Sequence, residues 1–378
     1  MAYLNGVCCT SFGRHEGSTA LGLMTAAARD TLRSAQLATA QIDGLLTGYA
    51  TTFAHLMLAD VVAEHLNIQP DYCHAIQSGG ASGLTMVMLA RELIRSGRCK
   101  NVLCVAGENR LTGQTRDMAI QVLSQVGHVD YEVPFGPTVP AYYALLAARF
   151  LHEHHLSDAD LAEFAVLMRT HATTHSGAHQ RDAIDIDTVL KSKIISSPLK
   201  LLDCCPISDG AAAVVVSLEP SNEKAIRIRG AGQAHRQQHV SQIKNIHATG
   251  AKAAADLAFR EAKIDRAQIE YLGIYDSFTI TLMMLLEEIG FAGRGEAVVK
   301  VRNGDFSAAG RLPLNTHGGL LSYGHCGVAG GMAHLVEAVL QLSGNAGPRQ
   351  IAEREWAYIH ADGGVMSAHV GMILQREK

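Results

Sequence analysis

A chain of 378 residues can bury a large core, and its 48% hydrophobic and 18% charged residues indicate a compact protein with an extensive interior or a subunit interface. The formal net charge is -4 and lysine or arginine runs are lacking, which argues against nucleic acid as a partner. The N-terminal residues show no basic segment followed by an apolar run, and nowhere do about 18 apolar residues stand together, so we expect a cytoplasmic protein.

The first half alternates between predicted helices and strands. Apolar residues recur at helical spacing over residues 17–36 and over Leu56–Leu66, and the apolar segment Ile42–Leu46 between them predicts a strand. A glycine-rich turn, SGGASG at residues 78–83, then opens an amphipathic helix that leads into the apolar strand Val102–Ala106. This alternation predicts a layered α/β fold.

The middle of the chain has a different character. Helical patterns cover Tyr142–Glu153 and Asp158–Thr170, and the histidine-rich segment THATTHSGAHQRD follows them. We expect an insertion that covers one face of the fold, and a boundary between the two halves at the segment EPSN, Glu219–Asn222. The predicted division is an N-terminal half at 1–115, completed by about 195–220, an insertion at 116–194 and a C-terminal half at 221–378.

The second half repeats the plan of the first. Its predicted strands are Ala225–Arg229, Tyr271–Tyr275, Tyr358–Ala361 and Ser367–Leu374, and its predicted helices are Gly250–Ala262, Thr279–Ile289 and Ala333–Leu340. Gly80 and Gly97 have the same separation, 17 positions, as Gly327 and Gly344. Each pair brackets an amphipathic helix that ends in Ser-Gly, so the sequence predicts two related halves.

The stretch from Leu314 to His334 is rich in glycine, holds three histidines and opens directly onto the last predicted helix. Glycine permits close approach of the backbone to a bound group, and the first NH groups of a helix have no partner within it. The turn can therefore offer His325 and backbone NH donors to a developing negative charge.

Five segments together resemble the thiolase superfamily, in particular its sterol-carrier or lipid-transfer branch. They are SGGASG, CPISDGAAAVVV at 205–216, YDSFT at 275–279, NTHGGLLSYGHCG at 315–327 and HADGG at 360–364. The resemblance implies an α/β fold of five layers, αβαβα, with two related halves and a helical insertion over the active site. It also implies an acyl-CoA substrate without a further cofactor, a homodimer with Val102–Ala106 at its interface, and a small, separately encoded partner with a zinc ribbon and an OB fold.

The position of the family's nucleophile differs in this chain. In the family a cysteine directly precedes Ala-Ser-Gly, and here Gly80 stands in that place. Ser78 and Ser82 are expected to bond backbone groups at the helix N-terminus, since a hydroxyl lacks the acidity of a thiol. Cys326 remains an alternative, displaced nucleophile, although buried cysteines are commonly inert and the eight cysteines lack Cys-x-x-Cys spacing.

The YDSF segment begins with Tyr275, where ordinary thiolases have asparagine or histidine. This resembles the lipid-transfer-protein-like aldolases, which lack the thiol and use a tyrosine here to move the proton of a β-hydroxyl. Those aldolases carry a second tyrosine where this chain keeps His325. A retro-aldol cleavage needs a base for the hydroxyl and a donor for the enolate oxygen, and it forms no acyl-enzyme. The alternative is that Tyr275 is only a packed residue at a strand end.

The remaining candidates surround this pair. His325 is predicted to donate to the thioester oxygen. His360 takes the place of the second thiolase cysteine and is predicted either to act as a base on an α-proton or to end a strand. Asn315, Gly80 and Gly364 are expected to shape the oxyanion site and its loops.

Two further sets of residues lie in or near the insertion. Arg169 and Arg181 are candidates for contact with the phosphates of CoA. His171, His175 and His179 have a spacing that could mimic a metal site if helical, but the composition predicts a solvated loop, and we assign no metal.

The sequence therefore favours an enzyme that makes or breaks a carbon–carbon bond in an acyl-CoA thioester, by aldol-type cleavage of a β-hydroxyacyl-CoA. One alternative is an acyltransferase of the acetyl-CoA acetyltransferase type. The other is a non-catalytic subunit that binds CoA thioesters.

Overall fold

The computed structural model describes residues 1–221 and 225–377, which form eleven strands and twelve α-helices. The strands are β1 (Tyr3–Cys9), β2 (Gly44–Gly48), β3 (Tyr72–Ile76), β4 (Asn101–Asn109), β5 (Ile194–Ser196), β6 (Leu199–Lys200), β7 (Asp209–Ser217), β8 (Ile226–His235), β9 (Tyr271–Gly273), β10 (Trp356–Gly363) and β11 (Ala368–Arg376). The helices are α1 (Ala20–Ala35), α2 (Leu58–Leu66), α3 (Ser82–Arg95), α4 (Arg116–Ser124), α5 (Val139–His154), α6 (Asp158–Ala172), α7 (Ile186–Lys191), α8 (Ala251–Ala262), α9 (Thr279–Ile289), α10 (Ala297–Arg302), α11 (Gly319–Ser322) and α12 (Val328–Ser343).

Nine strands form one mixed sheet in the order β3-β2-β4-β7-β1-β8-β11-β10-β9. The two halves of the sheet meet where Tyr3 and Leu4 of β1 pair with Arg227 and Ile226 of β8. In both halves the pairing runs antiparallel, antiparallel and then parallel, in the orders β1-β7-β4-β2 and β8-β11-β10-β9. The internal repeat predicted from the glycine spacing is therefore a repeat of topology.

The helix ends explain why the repeat shows at glycines. Gly97 and Gly344, just beyond α3 and α12, have φ angles of 73° and 79°. This left-handed conformation suits glycine because it has no Cβ, and it ends each helix so that the chain can turn back into a strand.

The helices lie in three layers around the two halves of the sheet. Helices α1 and α2 cover the outer face of the first half, and α8 covers the outer face of the second. Helices α3 and α12 pack against each other between the halves, within the main hydrophobic core. The predicted five-layered α/β fold is confirmed.

The predicted dimer interface at Val102–Ala106 is wrong. These residues belong to β4, which is hydrogen-bonded to β2 on one side and to β7 on the other, and all five are fully buried. A strand buried on both faces has the same continuous apolar sequence that an interface would show. The edge strand of this half is β3, which pairs with β2 alone in the described part of the sheet.

Helices α4 to α7 and the β5-β6 hairpin lie within or directly after the predicted insertion. The predicted boundary ends at Asn222, which lies outside the described residues, and the division into 1–115, 116–194 and 221–378 stays a prediction. Among the described residues, no helix is long and apolar enough to span a membrane.

Candidate active site

The site forms where α3 and α12 begin beside each other. A Cβ on Gly331 would lie 2.5 Å from the carbonyl oxygen of Gly80, and a Cβ on Gly83 would overlap the side chain of Met332. The glycines at the start of both helices thus permit a close backbone approach that larger residues would prevent. This contact brings the SGGASG turn to the glycine-rich turn that carries His325.

Tyr275 and His325 meet at this contact. The Tyr275 hydroxyl oxygen lies 3.0 Å from Nε2 of His325, and the two rings are nearly perpendicular. A Cβ on Gly80 would overlap the Tyr275 hydroxyl and would lie 2.5 Å from the carbonyl oxygen of Asp362. The phenol therefore fills the space into which a side chain at position 80 would project, so this placement of Tyr275 requires glycine at position 80.

Hydrogen bonding fixes the tautomer of His325. The backbone NH of Gly327 donates to Nδ1 at 3.2 Å, so Nδ1 is an acceptor and the proton of the neutral ring is on Nε2. Burial, with a further contribution from the positive charge of Arg110, lowers the pKa of His325 to about 3. At neutral pH the ring is an uncharged donor that directs its Nε2–H at the Tyr275 oxygen.

Tyr275 keeps its proton at neutral pH. The residue is 5% exposed, and burial together with the Asp362 carboxyl raises the pKa of its phenol well above the usual value. A neutral phenol can give up a proton to a strong base such as a carbanion, but it does not begin a reaction as a base.

Asn315 holds the segment before Tyr275 in place. Its Oδ1 accepts from the NH of Ile274 at 2.8 Å, and its Nδ2 donates to the carbonyl of the same residue at 2.7 Å. The side chain is fully buried and its φ is 46°. Both ends of the amide are hydrogen-bonded, so Asn315 is not a free donor for an oxyanion. It shapes the loop, which was one of the two roles predicted for it.

Asp276 ties the same segment to the glycine-rich turn. Its Oδ1 accepts from the NH of Leu320 at 2.7 Å and lies 3.3 Å from Nε2 of His334, and a Cβ on Gly319 would overlap the carboxyl. In the YDSF segment the tyrosine thus faces the site while the aspartate anchors the loop behind it.

Two residues at the site were not predicted as functional, Tyr143 and Asp362. The Tyr143 hydroxyl donates to Oδ2 of Asp362 at 3.1 Å and lies 3.3 Å from the carbonyl oxygen of Gly364. Burial raises the pKa of the Asp362 carboxyl to about 8. The position of Asp362 in HADGG was a signal that could have found it, whereas nothing in the sequence of α5 marks Tyr143.

Gly364 lies where the HADGG turn passes the SGGASG turn. A Cβ on Gly79 would lie 2.7 Å from the backbone nitrogen of Gly364, and Gly364 itself has a φ of 73°. Ser82 donates its hydroxyl to the carbonyl of Gly79 and accepts from the NH of Ser78. Ser82 thus bonds backbone groups at the start of α3, as expected.

The geometry agrees with comparisons to known proteins. Residues 7–219 match the family described as "Thiolase, N-terminal domain", and residues 232–376 match "Thiolase C-terminal domain-like". The chain belongs to the thiolase family.

Similar members of the family have two kinds of activity in their names. A steroid side-chain-cleaving aldolase of Thermomonospora curvata is 30% identical over 365 residues, 91% of this chain and 91% of the aldolase. An acetyl-CoA acetyltransferase of Methanothermobacter thermautotrophicus is 26% identical over 376 residues, 97% of each chain. A solved structure named "Ltp2-ChsH2(DUF35) aldolase" has a TM-score of 0.86 at 28% identity and covers 100% of this chain and 98% of that one.

The cysteines of this thiolase-family chain are poor nucleophiles. All eight are free thiols, and burial raises the pKa of each one above its usual range. Cys326 is fully buried, and nearby Glu108 adds to the rise in its pKa. A thiolate is the reactive form of cysteine, so these surroundings oppose Cys326 as a displaced nucleophile.

His360 and Arg169 have partners other than those expected at an active site. His360 is fully buried, with Nε2 3.2 Å from Nδ1 of His369. His360 lies within β10 and not at its end, as the second alternative expected, and its contact with His369 makes it a buried residue of the strand. Arg169 is 5% exposed, and its guanidinium donates to Ser322 Oγ at 3.0 Å and to the carbonyl of Asp182 at 3.1 Å. A buried, engaged guanidinium does not fit contact with the phosphates of CoA, whereas Arg181 is exposed and stays a candidate.

The three histidines of the predicted solvated loop are less exposed than expected. His171 lies in α6 and is buried, and burial lowers the pKa of His171 and of His175 to about 4. Nδ1 of His179 lies 2.8 Å from the Ser208 hydroxyl. The ring of His175 lies 4.7 Å from that of Tyr323, so His175 packs the insertion against the glycine-rich turn.

Proposed function

We propose that this chain is an acyl-CoA lyase that cleaves a β-hydroxyacyl-CoA by a retro-aldol reaction, without an acyl-enzyme. The observation that carries the proposal is the Tyr275–His325 pair, whose phenol fills the space beside Gly80 where a nucleophilic side chain would stand. The similarity to a steroid side-chain-cleaving aldolase supports the same chemistry.

His325 supplies the electrostatic part of the reaction. Cleavage of the Cα–Cβ bond leaves an enolate on the thioester, and its oxygen needs a hydrogen-bond donor that is already in place. The neutral His325 ring has one N–H, on Nε2, and this proton would be shared between the Tyr275 hydroxyl oxygen, which it faces in the structure, and the enolate oxygen. A preorganised donor of this kind contributes roughly 10²–10³ in kcat.

Tyr275 supplies a proton. Its phenol is neutral at the pH of the cell, so it can protonate the α-carbon of the enolate and complete the release of the shortened acyl-CoA. His325 Nε2–H then stabilises the resulting phenolate at the distance seen in the free protein.

The proposal extends to the assembly. We propose a homodimer that forms through the edge strand β3, because β3 pairs with β2 alone among the described strands and its other edge can pair with a second copy. We also propose a small zinc-ribbon and OB-fold partner, which the name of the similar aldolase, Ltp2-ChsH2(DUF35), supports. A cytoplasmic location and the lack of a bound cofactor belong to the same proposal.

A second candidate function is acyl transfer, which the similarity to an acetyl-CoA acetyltransferase over nearly the whole chain favours. It would need a thiolate, and the raised pKa of every cysteine opposes one.

The test is product analysis with β-hydroxyacyl-CoA thioesters of short aliphatic, aromatic and steroid type, with and without a co-expressed small partner. The proposal predicts a shortened acyl-CoA together with an equal amount of aldehyde or ketone. Formation of acyl-CoA only when free CoA and a β-ketoacyl-CoA are supplied would instead establish the transferase. Binding of CoA thioesters without turnover, unchanged by Tyr275→Phe and His325→Ala, would establish a non-catalytic subunit.

A further inference from the structure

The proposed cleavage needs a group that removes the β-hydroxyl proton, and neither member of the Tyr275–His325 pair can do so. Tyr275 already carries its proton, and its pKa lies well above the usual value because of burial. The acceptor nitrogen of His325, Nδ1, is occupied by the NH of Gly327. A third group must therefore act as the base.

Asp362 has an unused, buried acceptor at the right place. The side chain is 1% exposed, and its Oδ1 has no hydrogen-bond partner within the described residues. Oδ2 accepts from Tyr143 at 3.1 Å and from the NH of Met366 at 3.3 Å. A buried carboxyl oxygen without a partner is costly, and such atoms are retained where a ligand or a reaction uses them.

The backbone places this carboxyl beside the reacting pair. The carbonyl oxygen of Asp362 and the Tyr275 hydroxyl both crowd the space where a Cβ on Gly80 would stand. The charge of Asp362 is also the strongest influence on the pKa of Tyr275 after burial itself. The backbone of Asp362 and the Tyr275 phenol thus border the same space beside Gly80, and the carboxyl is close enough for its charge to act on the phenol.

The titratable side chains nearest the Asp362 carboxyl are neutral at neutral pH, and the charges of Arg110, Glu288 and Arg236 act on Tyr275 and His369 from further away. Tyr143 from α5 and Tyr275 after β9 present phenols, and His369 from β11 lies 3.8 Å from Oδ1 through Nδ1. His360, two residues earlier on β10, contacts His369. Burial lowers the pKa of His369 to about 4 and that of His360 well below its usual value, so neither ring supplies a positive charge at neutral pH.

Resting on the proposed function, we infer that Asp362 is the base that takes the β-hydroxyl proton, and that Tyr275 is the acid that protonates the α-carbon. Tyr143 is a positioning residue, because it orients the carboxyl by donating to Oδ2.

The steps balance without a further reactant. The substrate O–H bond breaks, its proton goes to Oδ1 of Asp362, and the electron pair forms the C=O of the released ketone or aldehyde. The electrons of the broken Cα–Cβ bond pass into the thioester enolate. Tyr275 gives its proton to the α-carbon, and the proton on Asp362 then passes to the Tyr275 phenolate, which restores both groups.

The ionisation of Asp362 suits this task. Burial raises the pKa of the carboxyl to about 8, so a useful fraction is ionised in the cell and the base is strong compared with an exposed carboxylate. A general base works best when its pKa lies near the working pH.

The experiment is a pH profile of kcat/KM from about pH 6 to about pH 11 for the complete enzyme. We expect a rise of about tenfold per pH unit that levels off above about pH 8. If Tyr275 were the base, the rate would instead keep rising toward the ionisation of a phenol, and that result would overturn the assignment.

Variants distinguish the role of Asp362 as the base from the role of Tyr143 in orienting it. Asp362→Asn is isosteric, and we expect kcat to fall by roughly 10²–10⁴ with loss of the rise below pH 8. Tyr143→Phe removes a hydrogen bond that lowers the pKa of Asp362, so the rise of kcat/KM with pH should move to higher pH in this variant. The exposed Asp187→Asn should leave the profile unchanged.

Failure of the proposed function and failure of the Asp362 assignment give different results. If the wild type cleaves no β-hydroxyacyl-CoA, the proposed function fails and the assignment falls with it. If the wild type cleaves and Asp362→Asn keeps the same profile, only the assignment fails. Infrared difference spectra of protein labelled with ¹³C-aspartate check the titration without turnover: the band of a protonated carboxylic acid should disappear near pH 8 in the wild type and be missing in Asp362→Asn.

Discussion

Asp362→Asn should stabilise the folded protein at alkaline pH although it lowers kcat by roughly 10²–10⁴. In the fold, burial raises the pKa of the carboxyl from 3.8 to about 8. The protonated form is therefore the one that the folded state favours. Asparagine has nearly the same shape, can accept the hydrogen bond from Tyr143, and never ionises.

The sign and size of the effect follow from the two pKa values. The stability due to protonated Asp362 is fully present below pH 3.8, falls as the pH rises, and is fully lost above about pH 8, where the folded carboxyl must ionise. Each pH unit between these limits is worth about 1.4 kcal/mol. Between pH 5 and pH 8 the wild type should thus lose about 4 kcal/mol of unfolding free energy relative to Asp362→Asn.

Urea denaturation of both proteins at pH 5 and pH 8, followed by circular dichroism, measures this difference. Asp187→Asn is the matched control, because it removes an exposed carboxylate and should track the wild type at both pH values. Equal changes in the wild type and Asp362→Asn would mean that the Asp362 carboxyl is ionised in the folded protein at both pH values and that its pKa is not raised.

Tyr275→Phe should lower kcat by roughly 10²–10⁴ in a turnover assay, and circular dichroism should show that the fold is kept. The control Tyr131→Phe changes an exposed tyrosine and should leave kcat unchanged. Equal kcat values for the two variants would count against a proton-transfer role for Tyr275. Gly80→Ala should inactivate the enzyme, because the new Cβ would displace the Tyr275 hydroxyl. The control Gly22→Ala lies on the exposed face of α1 and should remain active. Activity in Gly80→Ala would contradict the close packing of Tyr275 against Gly80. Asn315→Gly keeps the backbone freedom needed at a φ of 46° but removes two buried hydrogen bonds to the backbone of Ile274. Its free energy of unfolding, measured in urea, should fall by about 1–3 kcal/mol. An unchanged value would mean that these two hydrogen bonds do not stabilise the fold.

The fold could be predicted because both halves carry the same short sequence motifs. Glycine turns, amphipathic helices and Ser-Gly helix ends depend on backbone geometry that neighbouring residues determine. Strand β3 was missed because Tyr72–Ile76 is a partly exposed edge strand with mixed composition. The interface at Val102–Ala106 was misplaced because a central strand and an interface strand are equally apolar.

The site was only partly predictable. Tyr275 and His325 could be paired because each lies on a recognisable motif. Tyr143 could not, because it reaches Asp362 from the insertion, 219 positions away in sequence. The importance of Asp362 comes from its burial, which depends on the packed fold and not on its neighbours in the chain.

Intact-mass measurement during turnover distinguishes cleavage without an acyl-enzyme from covalent catalysis. The chain is mixed with a β-hydroxyacyl-CoA that it cleaves, quenched with acid at successive times, and weighed while the CoA products are quantified. We expect the shortened acyl-CoA to accumulate while the mass of the chain stays unchanged. A transient mass increase equal to an acyl group, lost in Cys326→Ala, would instead show covalent catalysis through Cys326 and rule out a retro-aldol reaction without an acyl-enzyme.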